Sequence, residues 1–147
     1  MIEYSLVPLH LIASYVADNI DKHYSEANGR DGYDPLNVDW HYFLSASYAG
    51  QCVAVVPYED GVPVGYSVFF VTKSPCHNDI IEADSIGFYV EKNHRKKVST
   101  GLFRKTTDLL KSVGVNKVNY LLKNDGIGKM LERSGYKQEY KQWSIAV

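Results

Sequence analysis

Glu82 and Asp84 stand two residues apart inside an otherwise apolar and aromatic run from Ile80 to Val90. If that run is a strand, both carboxylates project from one face. There they can take a proton from an ammonium, directly or through a water. The plainer reading is a strand end near solvent, or an ion pair with a nearby Lys or Arg. A second chemical feature follows, the basic cluster His94-Arg95-Lys96-Lys97, and after it Ser99 suits the cap of a helix. A cationic turn before a helix suits phosphate, because the first backbone N–H groups are unpaired and the helix end is positive. The plainer alternative here is a solvated charge run.

Other chemistries find less support. His10, His23, His41, His77 and His94 show no metal-ligand spacing, so no metal site is expected. His77 reads as a loop histidine beside the acidic strand. Cys52 and Cys76 form no C-x-x-C and have no evident base partner, so both are expected to be reduced thiols in a cytoplasmic protein. Phe88 and Tyr89 beside the basic turn raise nucleic acid as a partner. The net charge of −1 and the lack of a wider basic face argue against it. No apolar segment approaches spanning length, and no basic start precedes an apolar run, so neither a membrane partner nor export is expected.

The elements that must position these residues follow from periodicity and turn chemistry. With 147 residues, 45% of them hydrophobic and 13% aromatic, the chain is expected to form one domain over 1–147 with an ample core. Leu9, Ile12, Tyr15, Val16, Asn19 and Ile20 recur at near-helical spacing and predict a helix over 8–22, with Pro8 in its first turn. Residues 25–35 read as a surface loop, and 37–49 as a second helix with Asp39 in its first turn. Cys52 to Val56, the Asp60-Gly61 turn, and Val64 to Thr72 make the clearest hairpin. Then come a strand over 80–90, a helix from Ser99 to Val113, a strand over 116–123, a short helix over 126–133 and a final strand over 136–147. A first strand at Ile2 to Val7 is also open. The fold class is α+β, a mixed and mostly antiparallel twisted sheet with flanking helices. The strand-helix-strand of 84–123 requires a right-handed crossover, which makes its two strands parallel. Parallel neighbours can splay at one end and admit a ligand.

Element order, chain length and the stretch from Asp84 to Gly114 resemble the GNAT superfamily of acyl-CoA-dependent N-acyltransferases. The resemblance is strongest in DGVPVGYSVFFV (60–71), FYVEKNHRKK (88–97) and NDGIGKMLERSGY (124–136). In style the sequence is similar to small bacteriophage and bacterial GNAT proteins. The resemblance implies an acetyltransferase that passes an acetyl group from acetyl-CoA to a primary amine by direct attack. The acceptor would be a small molecule or a protein lysine or N-terminus. The alternative is a GNAT-fold binding or virion-associated module without catalysis. A homodimer is left open, and no metal is implied.

The resemblance also carries residue roles. Backbone groups of Phe88, Tyr89 and Val90 would hold the pantetheine arm, and Asn124 would contact the CoA arm. Arg95, Lys96, Lys97, Val98, Ser99, Thr100 and Gly101 match the pyrophosphate segment, which in the family reads Arg/Gln-x-x-Gly-x-Gly/Ala. Val98 and Thr100 stand where glycines are usual, and a β-branched residue at positive φ is costly. A one-residue shift, with Ser99-Thr100-Gly101 as the open turn, is therefore expected, and Val98→Gly is expected to leave the fold intact. Asp84 falls eleven residues before Arg95, where some members carry a catalytic carboxylate, and Glu82 shares its face. Leu131 occupies the place of the family's acid tyrosine, leaving Tyr120, Tyr136 or water to protonate the thiolate.

Overall fold

The computed structural model describes residues 1–28, 36–99, 101–122, 125–140 and 143–147. Strand β1 (Ile2–Pro8) leads through a 3-10 turn (Leu9–Leu11) into helix α1 (Ala13–Asn28), followed by α2 (Trp40–Tyr48). Next come β2 (Cys52–Glu59), the two-residue β3 (Val62–Pro63), β4 (Gly65–Lys73) and β5 (Ile81–Val90). A 3-10 turn (Lys92–His94), α3 (Arg95–Ser99), α4 (Leu102–Ser112), β6 (Lys117–Asn119) and α5 (Asp125–Arg133) complete the order. The sheet runs β1-β2-β4-β5-β6 with β3 against β2. Every pairing is antiparallel except β5 with β6. The class is thus α+β with a mostly antiparallel sheet, as the sequence suggested.

Local chemistry explains most boundaries. The β2–β3 turn places Asp60 at φ 51° and Gly61 at φ 79°. Two left-handed residues give the twist that a tight hairpin needs. Asp39 caps α2 from outside, its carboxylate accepting from the Tyr42 N–H at 3.0 Å. Pro8 ends the edge strand β1 opposite Val53, as edge strands allow, and a 3-10 turn follows, so α1 begins five residues later than the sequence spacing predicts. The same helix runs to Asn28, through residues expected as loop. The final strand expected over 136–147 is absent: residues 136–140 and 143–147 form no strand. Tyr140, Trp143 and Ile145 are exposed there instead.

Both sheet faces are covered. Leu9, Ile12 and Val16 pack with Ala54, Val56, Tyr66, Val68 and Tyr89 on the α1–α2 face. On the other, Val55, Phe69 and Ala83 meet Leu110 of α4 and Val115. Val64, Val98 and Leu102 extend that layer toward the end of β5, beside Tyr4, Phe88 and Val90. No helix among the described residues is long and apolar enough to cross a membrane.

Candidate functional site

β5 and β6 pair only at Glu82–Lys117, Ala83–Val118 and Asp84–Asn119. β5 then runs on to Val90, so from Ser85 onward its β6-side edge has no strand partner among the described residues. Its other edge stays paired with β4 as far as Gly65–Val90. Hydrogen-bonding direction alternates along an antiparallel strand. The Glu91 N–H donates to the Val64 carbonyl at 2.9 Å, so Tyr89 also points toward β4. Phe88 and Val90 then turn their main-chain groups to the open edge. The Val90 carbonyl indeed accepts from Arg95 Nε at 2.9 Å. A bulge helps the parting: Val68 faces Gly87 and Phe69 faces Ser85, leaving Ile86 extra on β5.

The carboxylates sit on the α1–α2 side of the sheet. Asp84 lies opposite Phe70, whose ring stacks on Phe43 of α2 at 5.6 Å, and Glu82 lies opposite Thr72. Asp84 accepts a hydrogen bond from Asn119 Nδ2 at 2.8 Å, at the point where the two strands part. Glu82 stands 3.9 Å from Lys117 Nζ, which is closer to Glu139 at 2.9 Å. Glu139 raises the Lys117 pKa, its hydrogen bond being the larger cause. The sequence-predicted pair is therefore on one face, each member with a partner from β6.

The basic cluster is largely paired from within. Arg95 bridges to Glu26 of α1 and lies over the Tyr89 ring at 5.9 Å. Glu59 receives Lys97 at 2.6 Å and His94 at 2.8 Å. The Lys97 hydrogen bond is the main cause holding the Glu59 carboxyl below its usual range, and Glu59 in turn raises Lys97. Lys96 is exposed. Val98 is fully buried inside α3 and its carbonyl accepts from the Tyr4 hydroxyl at 3.0 Å. Ser99 ends α3, and Gly101, without a side-chain hydrogen bond, caps α4. This corrects the expected helix start: Ser99 does not cap the long helix, and Val98 has helical backbone, with no positive φ to relieve. Thr100 and Asn124 lie outside the described residues.

Of the candidate acids, Tyr120 has its hydroxyl buried and Tyr136 is half-buried. Tyr120 meets Phe69, Phe88, Phe103 and Tyr136 edge to face. Its hydroxyl, with those of Ser67 and Thr106, is buried without a well-formed hydrogen bond, and burial raises its pKa. Tyr136 shares a 2.6 Å hydrogen bond with Thr107. Leu131 is a core side chain.

The residue overlooked in the sequence is His23. It lies on the buried stripe of α1 that carries Val16 and Ile20, one residue past the expected helix end. Its Nδ1 is 2.8 Å from the Tyr66 hydroxyl, and its ring covers Gly87. A Cβ at Gly87 would lie 2.7 Å from His23 Cε1, so only glycine leaves the ring its place at the bulge. Burial lowers the His23 pKa against a weaker pull upward from Glu26.

No family model and no curated protein matches this sequence. Solved structures do match across the whole chain. A GCN5-related N-acetyltransferase from Ralstonia eutropha JMP134 superposes with a TM-score of 0.75 at 17% identity, covering 99% of each chain. A predicted acetyltransferase with acetyl-CoA from Clostridium acetobutylicum gives 0.71 at 15% identity, covering 99% of this chain and 96% of that one. The ribosomal-protein-alanine N-acetyltransferase from Brucella melitensis biovar Abortus 2308 gives 0.70 at 19% identity, covering 100% and 99%. The protein has the GNAT acetyltransferase fold.

Proposed function

We propose that this protein is an N-acetyltransferase that passes an acetyl group from acetyl-CoA to a primary amine. The observation that carries the reading is the parting of β5 from β6 after Asp84 and Asn119. It leaves the main-chain groups of Phe88 and the N–H of Val90 facing the open edge for the amides of a pantetheine arm, with Tyr89 between them, while Arg95 Nε holds the Val90 carbonyl. The pyrophosphate would lie against Arg95 to Gly101, where Arg95, Lys96 and Lys97 supply positive charge, and Asn124 would meet the CoA arm. A main-chain N–H at the bulge would polarise the thioester carbonyl as negative charge develops on its oxygen. The amine enters from the α1–α2 side and loses a proton to Asp84, with Glu82 as substitute through a water. Its nitrogen forms the C–N bond, the C–S bond breaks, and the CoA thiolate takes a proton from Tyr120, Tyr136 or water. The acetylated amine and CoA leave, and no covalent enzyme intermediate is required. The setting is cytoplasmic and the unit a single domain.

A second reading, a GNAT-fold binding module without catalysis, is favoured by one observation: His94 and Lys97 already share Glu59. Calorimetry with acetyl-CoA and CoA separates the two. Binding is expected, weakened about tenfold by Arg95→Ala, the usual scale for a charge-assisted contact, and weakened further by added salt. No binding at about millimolar CoA, a standard free energy near −4 kcal/mol, removes the enzyme reading.

A further inference from the structure

An amine approaching the bulge from the α1–α2 side meets a cavity of about 120 Å³. Val16 and Ile20 of α1, Val38, Trp40 and Phe43 at α2, and Ile86 of the bulge line it, together with His23, Tyr66 and Gly87. We propose that this cavity seats the carbon substituent of the acceptor, a primary amine carried on a small apolar or aromatic group, and that His23 accepts a hydrogen bond from its nitrogen. The proposal rests on the acyl-transfer reading and adds the substrate class.

Size and chemistry both point this way. An apolar cavity of ~150 Å³ in a protein interior takes up benzene, so the space matches one ring or a branched alkyl group. Among the described residues, the lining carries no carboxylate. A polycation would have to give up water for several charges with no described lining carboxylate to pair them. Glu26, the carboxylate whose field reaches His23, is engaged by Arg95. Among the described residues, the polar groups of the lining are those of His23 and Tyr66 and the indole N–H of Trp40. With Nδ1–H donating to the Tyr66 oxygen, the ring offers the Nε2 lone pair, which has no hydrogen-bond partner among the described residues. Among the described residues, the groups around it are Tyr66 and Tyr89, whose ring stacks at 5.9 Å, with Tyr15 edge-on to Tyr66 and hydrogen-bonded to Glu91. None of these supplies a cation in contact with the ring. Because the imidazole covers Gly87, a nitrogen bound to it lies beside the open edge of β5, where the thioester would be held.

The test uses the full chain in a Trp143→Phe background, which leaves Trp40 as the one tryptophan and as a reporter inside the cavity. 2-Phenylethylamine is expected to shift Trp40 emission and to be acetylated, in a thiol-release assay, with a KM at least about tenfold below that of spermidine. Val38→Phe fills the cavity from the coil before α2 and should abolish the shift while calorimetric acetyl-CoA binding is unchanged. In the paired variant His23→Phe with Tyr66→Phe, no buried hydroxyl is stranded. There the response to 2-phenylethylamine should weaken about tenfold while the response to ethylbenzene, which lacks the nitrogen, is retained. Preference for spermidine, a Trp40 signal indifferent to 2-phenylethylamine, or an inert Val38→Phe overturns the proposal and leaves acyl transfer standing. If acetyl-CoA is neither bound nor consumed, acyl transfer falls, and the Trp40 titration by itself decides whether the cavity takes an apolar amine.

Discussion

Val98 shows how one side chain reverses an expectation drawn from a motif. Read as a family glycine, it invites replacement by glycine. In the fold it is fully buried, packed with Val64 and Leu102 under Tyr4, Phe88 and Val90. Val98→Gly removes three buried carbons and puts glycine into a helix. Roughly 0.8 kcal/mol per carbon and a few tenths of a kcal/mol for the helix backbone predict a loss near 3 kcal/mol. Urea titration of the variant measures it, and a loss within error of zero would contradict the packing. His23 adds a pH signature. Its folded pKa lies below the ordinary 6.5, so the unfolded chain binds the proton first as pH falls. Stability contributed by the neutral ring is complete above 6.5 and declines as pH drops from there toward the folded value. Glu59, whose pKa is lowered from 4.5, acts only in a more acidic window: its contribution is present above 4.5 and is lost as pH falls through the folded value. Thermal melts between about pH 8 and pH 5 should therefore show a decline that His23→Gln removes, since the amide does not titrate there. An unchanged decline in that variant assigns it elsewhere.

At the scale of elements, the strand-helix-strand around α4 was legible because its apolar spacing and the crossover rule allow few alternatives. The break between α3 and α4 was not. Val98, Leu102, Thr106 and Leu110 form one buried stripe at intervals of four, as an unbroken helix would show. Periodicity alone cannot mark a break that preserves the stripe. The opposite limit applies to Asp84 and Glu82. Alternation put them on one face, but only the register with β6 reveals Asn119 and Lys117 as their partners. That arrangement sharpens the test of proton transfer. Asp84→Asn keeps the shape and removes the acceptor, so acyl transfer should fall roughly 10²–10⁴-fold. CoA affinity should barely change, because the carboxylate lies on the amine's side of the sheet. Thiol-release rates for Asp84→Asn, Glu82→Gln and the double variant decide the matter. A double variant as active as wild type makes both carboxylates structural, each occupied by its β6 partner.

At the scale of the whole molecule, the sheet order and the place of the opening follow from local patterns that agree with one another. The acceptor side does not, because His23 and Gly87 meet only through the packing of α1 on β5. Neither residue carries a local signal for that contact. The tail is where local pattern and tertiary structure disagree. A last strand was expected there, and it would have to pair with a sheet edge such as that of β6. Instead Tyr140, Trp143 and Ile145 are 80%, 88% and 86% exposed, while Glu139 stays beside β6 through Lys117. With so little apolar surface withdrawn from water, these residues contribute little to stability. Ending the chain after Glu139 should then shift the unfolding free energy by no more than about 0.5 kcal/mol, the scale of surface changes away from structural features. Far-ultraviolet dichroism should keep its shape, and acetyl-CoA binding should persist. A loss above about 2 kcal/mol, with a fall in sheet signal, would mean that the tail pairs with β6 in solution, as the final strand expected over 136–147 would. The edge of β6 would then be covered by the chain itself and left unavailable to other strands.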